Sequence, residues 1–478
     1  SGPAAPPPRD ARWPVRPGHD MMTPTRRAPM RAAAHATTGE GGRAAIGHPR
    51  ERGCGGRVSS GRRRRRPVPV VTAALAAAHL LLTSALEGSA QEPAGDPAAD
   101  EAVRVYLLTM GPGDRVWEKF GHNALWFHHP AGGADVVYNW GIFSFQQEDF
   151  FRRLLFGHMR YMVVRTTLGR TLRQYRAQDR SVRARRLRLT SAQVDELRRR
   201  ARVAARPENR EYSYDPFRDN CSTRIRDLLD RVVDGRLRAA TDSVGPAGTY
   251  RSHTRRLLQR VGWAYAGITA MLGASTDRPL TAWEEMFLPL RMEDRLRTLT
   301  VGRGEDAGAL AGPAEEIVDA RRRPAPVEGP GFHVAAPLVG LFGGALLAVL
   351  GLLGRRGRAG ARPAFGWLAG GWSLAAGLAG LVMAAGWVLT DHWYVQANEN
   401  LLQLQPLSLA LAVAAPSAAL AGRGRRAAVL LAWATAGLAL LGAALQLLPA
   451  FDQVNGEVVA LALPLHLGLA VGLGADTG

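Results

Sequence analysis

The run Asp219-Asn220-Cys221-Ser222-Thr223, followed by apolar residues at Ile225, Leu228, Leu229, Val232 and Val233, decides how this chain is read. Those apolar positions recur at i, i+3, i+4, i+7 and i+8, the stripe of a helix that buries one face. Asp219 or Asn220 supplies the cap, so the helix begins at the cysteine. First-turn N–H groups have no partner within a helix, and the helix dipole favours negative charge there, so the position favours a thiolate. The same position also suits a small buried hydrophobe at a helix start. Cys54, the one other cysteine, lies upstream of an export segment, so the exported part keeps a single thiol and has no disulfide to form. A lone exported thiol is open to oxidation and invites a chemical explanation.

A thiol nucleophile needs a base within hydrogen-bond reach and a third group to orient that base. Phe120-Gly121-His122-Asn123-Ala124 places His122 at the mouth of a strand, after a glycine that lets backbone approach closely. The next strand carries Tyr138-Asn139-Trp140-Gly141, and the Asn139 carboxamide can accept the imidazole N–H. His128, His129 and His158 compete with His122 for the base. Trp117, Phe120, Trp126 and Trp140 are candidates to line an apolar groove beside Cys221 and His122. No residue set reads as a metal site, and the chemistry calls for no cofactor.

Around this region the composition is globular from 103 to about 296. Val103–Thr109, Ala124–Phe127 and Val136–Trp140 read as strands. Thr190-Ser191-Ala192-Gln193 has capping-box spacing and opens a helix running to about Ala205. Strands come early and helices late, which makes the domain α+β. Residues 301–331 are Gly/Pro-rich and charged and read as a linker.

The 478 residues carry a net charge of +20, nearly all of it from arginine. The arginines cluster before the export segment and between apolar spans, which is a topology signal and not a nucleic-acid one. Residues 1–61 lack periodicity and read as a disordered or over-extended N-terminal stretch. Arg62–Arg66, the apolar run Val68–Leu86 and Gly88-Ser89-Ala90 form a signal peptide over 62–90, with an uncleaved anchor as the alternative. Beyond the linker lie about five apolar spans, 333–354, 364–390, 400–421, 427–448 and 456–474, each of membrane-crossing length. Arg355–Arg362 and Arg423–Arg426 fall in the loops after the first and third spans. The loops 391–399 and 449–455 carry no Arg or Lys. The arginine loops are therefore cytoplasmic and residues 100–330 lie outside. The last span, with His466, is the weakest of the five and has an interfacial position as its alternative.

Several spaced motifs together resemble the Lnb-type bacterial lipoprotein N-acyltransferases. They are Leu107–Asp114, Phe120–Ala124, Tyr138–Phe143, Tyr214–Arg224 and Trp283–Pro289, with Asn398–Leu402 and Pro406 in the membrane part. The resemblance implies a permuted papain-like domain over 100–300, distantly similar to NlpC-type hydrolases and lecithin:retinol acyltransferase, followed by an all-α bundle of transmembrane helices over 332–478. The family's Cys and His fall on Cys221 and His122; Asn139 as third member follows from strand order. The implied reaction moves an acyl chain through a Cys221 thioester onto the N-terminal amine of a lipoprotein. The implied partners are bacterial lipoproteins and membrane lipids, with no nucleic acid, at the inner membrane with the catalytic domain on its outer face. An exported cysteine peptidase or amidase, a phospholipase with the same dyad and a non-enzymatic membrane assembly protein are the rival readings. The sequence leaves the oligomeric state open.

Overall fold

A computed structural model describes residues 103–243, 245, 248–301 and 308–474. The N-terminal extension, Cys54 and the export segment 62–90 lie outside the described residues.

Nine strands and fourteen α-helices are labelled in chain order within the described residues. The strands are β1 (Arg104–Met110), β2 (His122–His128), β3 (Val136–Ile142), β4 (Arg160–Thr166), β5 (Val182–Leu187), β6 (Glu211–Ser213), β7 (Thr300–Val301), β8 (Gly308–Ala309) and β9 (Ala311–Val318). The helices of the first half are α1 (Phe150–Phe156), α2 (Leu168–Ala177), α3 (Ser191–Ala204), α4 (Cys221–Val232), α5 (Arg236–Thr241), α6 (Tyr250–Leu258), α7 (Gly262–Met271), α8 (Ala282–Glu285) and α9 (Pro289–Thr298). The long apolar helices follow: α10 (Ala335–Arg355), α11 (Ala361–Leu389), α12 (Ser408–Ala421), α13 (Arg425–Leu445) and α14 (Gly456–Leu473).

The first half is an α+β domain. Its antiparallel sheet has the order β6-β4-β3-β2-β1-β5-β9. Side chains alternate along each strand, and in the central strands β1 to β3 apolar residues are buried on both faces. Leu107, Leu125, Tyr138 and Trp140 face Leu197 of α3, Ile225 and Leu229 of α4, and Met292 and Leu296 of α9. Leu108, Met110, Ala124, Trp126 and Val137 face Leu172 and Tyr175 of α2. The expected capping box holds at α3, where Thr190 and Gln193 exchange hydrogen bonds. Part of the segment expected to be a linker is instead β9, the sheet's edge strand. Arg183 of β5 sits opposite Glu316 in that pairing. Pro313 is tolerated because an edge strand need not donate on its open side.

The second half is helical. Four of its helices, α10, α11, α13 and α14, are long and apolar enough to cross a membrane. The expected third span is not one continuous helix. Only its α12 part, Ser408–Ala421, is α-helical, after a 3-10 turn at Glu399–Leu402. Asn398, Asn400, Gln403 and Gln405 are buried in the irregular stretch before it. Their amides satisfy neighbouring backbone: Gln403 donates to Ala439 O and Gln405 to Thr435 O. Non-helical backbone at membrane depth survives only where protein covers it in this way. The last span is not peripheral. More than half of α14, 56%, is buried, the largest share of the four. It packs against α10 through glycine: a Cβ at Gly468 would lie 2.0 Å from Gly344 O, and one at Gly344 2.2 Å from Pro464 O. Small residues that let backbones touch are the usual means of joining helices in lipid.

The loops on one side of the bundle hold the α+β domain. Asn398 donates to Ala270 O and Met271 O, Asp277 accepts from Val454 N, and Tyr265 bonds Glu457 at the start of α14. The two arginine loops lie at the opposite helix ends.

Candidate active site

Asn220 caps α4. Its Oδ1 accepts from Ser222 N and Thr223 N at 2.8 and 3.0 Å, while Thr223 Oγ1 accepts from Asn220 N at 2.7 Å. Asn220 Nδ2 also donates to Pro216 O and Phe287 O, so the cap anchors the helix start from two sides. Cys221 is therefore the first residue of the helix, and it is buried.

The helix start fits a gap in the sheet. Pairing of β2 with β3 stops at Ala124–Asn139, and β3 changes register against β4 between Asn139 and Ile142. Gly141, with φ +79°, lets the strand turn away. A Cβ there would sit 3.3 Å from the Cys221 Cβ. The sulfur thus lies where the two strands part. Backbone N–H groups of Asn123, Ser222 and Cys221 itself point at it. The Asn123 side chain locks the junction, accepting from Ser222 Oγ at 2.8 Å and donating to Thr109 Oγ1 and Leu108 O.

His122 and Asn139 bridge the same gap, with Nε2 and Oδ1 3.3 Å apart. A carboxamide oxygen only accepts, so Nε2 carries the proton and Nδ1 is left as a base. No hydrogen bond joins the Cys221 thiol to the imidazole; the two meet through the His122–Asn123 peptide. Burial pushes the His122 pKa down to about 4, with Arg180 adding to the fall and Asn139 opposing it. Burial likewise pushes the Cys221 thiol up, against the three N–H groups and Arg180. The expectation of a resting thiolate at the helix start is therefore corrected. Desolvation outweighs the N–H groups and the cation, and the resting pair is neutral thiol and neutral imidazole.

Arg180 carries no sequence signal in so arginine-rich a chain. It is buried, donates from Nε to Gly111 O at 2.9 Å and lies 4.8 Å over the Tyr175 ring. Its Nη1 lies 3.9 Å from Glu118 Oε1, and its Nη2 is buried without a partner. A buried guanidinium with a spare donor is costly unless something charged or polar uses it.

The other candidates separate. His128 pairs with Asp135, and His158 with Asp391 at 2.6 Å. Trp126 stacks on Tyr106 and Trp140 is core on the α4 face, so neither is an exposed groove wall. Trp117 is half-exposed and meets Phe143 and Phe145 edge-on. Phe120 lines a separate cleft of about 140 Å³ with Arg256, Leu257, Leu288 and Arg291; that cleft includes neither Cys221 nor His122. No group of metal-ligating residues occurs among the described residues.

Residues 96–256 match the family model described as the Lnb N-terminal periplasmic domain. The Lnb-type match thus spans β1 to α6 and includes Cys221, His122 and Asn139. No curated protein and no solved structure matches the chain. The matched region leans on residues beyond it: Asn220 Nδ2 donates to Phe287 O, and Asp215 Oδ2 accepts from Trp393 Nε1 at 2.7 Å.

Proposed function

We propose that this protein is a membrane-bound lipoprotein N-acyltransferase with Cys221 as nucleophile, His122 as base and Asn139 as the group that orients the base. The observation that carries the reading is the break between β2 and β3, into which the capped start of α4 brings the sulfur beside a His–Asn bridge. The Lnb-type match and the four membrane-length helices support it. The order His, Asn, Cys along the chain belongs to the same reading as a permuted papain-like domain.

In the first half-reaction Sγ attacks the carbonyl carbon of an ester on the lipoprotein's diacylglyceryl group, taken as the sn-2 ester, and its proton passes to His122 Nδ1. The N–H groups at the break face the developing oxyanion. The ester C–O bond breaks, the glyceryl oxygen takes the proton back from His122, and a Cys221 thioester remains. In the second half the lipoprotein's α-amino group attacks the thioester carbonyl and His122 accepts the amine proton. The C–S bond then breaks, and the leaving thiolate takes that proton to restore the neutral thiol. The substrate leaves N-acylated and lyso, with its total mass unchanged. Two modest barriers replace one high one. Burial of Cys221 favours transfer over hydrolysis, because water has little access to the thioester.

The full chain in lipid nanodiscs with a diacylated lipopeptide tests this. Mass spectrometry should find an N-acylated lyso-product of the same mass, absent with Cys221→Ser. Free fatty acid beside an unmodified amine would establish a hydrolase instead.

A further inference from the structure

The short helix α1 leaves an apolar face uncovered. Phe151 is 74% and Leu155 64% exposed, and Phe145 and Trp117 extend the patch. Elsewhere in the first half, Val203 of α3 and Trp263 of α7 are also exposed. The α1 patch sits at a defined height. Phe156 O accepts from Asp391 N at 3.0 Å, Leu154 O accepts from His392 Nε2 at 2.8 Å, and His158 pairs with Asp391. Residues 391 and 392 follow α11, a helix of membrane-crossing length, after its C-cap Thr390. The backbone of α1 is thus hydrogen-bonded to the point where a membrane span ends. Arg152, which also pairs with Asp149 at 3.5 Å, and Arg153 lie on α1 among its apolar residues. Cations beside exposed Phe and Leu are the composition of a segment lying at the lipid headgroup boundary.

Behind the patch a row of rings leads inward. Phe150 stacks on Phe143 at 5.8 Å, Phe143 meets Tyr161 at 4.9 Å, and Tyr161 stacks on Tyr214 at 3.8 Å. Tyr214 and Cys221 both flank Gly141. The row thus joins the exposed face of α1 to the break in the sheet that holds the sulfur.

We propose that α1 dips into the outer leaflet of the membrane the chain spans, and that the ring row behind it is the path by which an acyl chain reaches Cys221. The occupant of the face is phospholipid, with headgroup phosphates on Arg152 and Arg153. Each methylene moved from water onto such a path gains roughly 0.8 kcal/mol, but a chain that slides from bilayer to rings is never exposed to water at all. The path deepens the acyltransferase reading and rests on it for the guest; the membrane contact of α1 does not.

The test uses the full chain with Cys54→Ser and Cys221→Ser. A single cysteine is placed by Phe151→Cys or Leu155→Cys and labelled with a polarity-sensitive dye, in nanodiscs with and without lipid carrying a nitroxide at acyl carbon 5. Quenching at 151 and 155, with none for Arg199→Cys on α3, is expected. Unquenched, water-exposed dye at both positions overturns the proposal. In the otherwise native chain, Phe151→Ser with Leu155→Ser should slow transfer from a bilayer-borne lipopeptide at least tenfold, and Phe151→Leu should keep it near normal. Equal loss in the Leu variant would overturn the path. Quenching without any acyl transfer by the native chain would sink the acyltransferase reading and leave the membrane contact standing.

Discussion

Asn139 and Arg180 act on the His122 imidazole with opposite sign, and the pH dependence of Cys221 acylation separates them. Asn139 favours the protonated ring and Arg180 disfavours it. The neutral ring is the base, so reaction with a soluble activated ester should hold through neutral pH and fall as pH drops through about 4, the value to which His122 is pushed. Asn139→Ala should move that acid limb to lower pH and cut the plateau by roughly 10²-fold, since the tautomer is no longer held. Arg180→Met should move the limb to higher pH and also slow acylation, because the thiol loses a cation that lowers its pKa. Profiles that coincide for the three proteins would remove both residues from the site. Cys221, His122 and Asn139 can be singled out in the sequence because each sits in a local pattern: a cap, a strand mouth, the next strand. Arg180 cannot, because its role depends on folding onto Gly111, 69 residues away. Trp126 and Trp140 mislead for the converse reason, since an aromatic near a reactive residue reads the same whether it faces a groove or a core.

Elements with a self-contained signal are legible in the sequence to within a residue or two: the capped α3 and α4, and strands β1 to β3. Elements defined by a partner are not. β9 is largely solvated, so Glu315 and Glu316 look like linker until β5 pairs with them, and Gly312 and Pro313 fall at the irregularity in that pairing. The irregular backbone before α12 is held by its own Gln403 and Gln405 amides, which donate to carbonyls of α13, and no hydropathy window registers that. The seam between α10 and α14 is likewise a pair property. Gly344→Leu or Gly468→Leu puts side-chain atoms into backbone 2.0 to 2.2 Å away and must force the helices apart. Either variant should lower the unfolding midpoint of the purified chain by at least several degrees, the scale of about 1–3 kcal/mol or more for overpacking. Gly371→Leu, with open space around it, should not. A midpoint unchanged in Gly468→Leu would mean that the seam does not hold the bundle.

At the scale of the molecule, the loops that grip the α+β domain are the loops without arginine, and the arginine loops face away from it. Charge and contact thus agree on one arrangement across a membrane. Reporter fusions ending in 391–399 or 449–455 should behave as exported, and fusions ending in 355–362 or 423–426 as cytoplasmic. A cytoplasmic signal from 391–399 would refute the arrangement, because Asp391 to Asn398 touch the α+β domain directly.

The Trp393–Asp215 bond has a mechanical consequence. Arg218 also lies 3.5 Å over Trp393, so the tight turn that presents Cys221 is clamped to the end of α11. That helix has 29 residues, about 43 Å at 1.5 Å each, against a hydrocarbon layer of roughly 30 Å. A helix too long for its layer tilts, and the tilt changes with the layer's thickness. The clamp would pass that tilt to the turn, making the length of the surrounding lipid tails a control on turnover. Rates measured in nanodiscs of 14-, 16- and 18-carbon lipids should differ for the native chain and converge for Trp393→Ala. Equal native rates in all three would show the turn to be insulated from the bilayer.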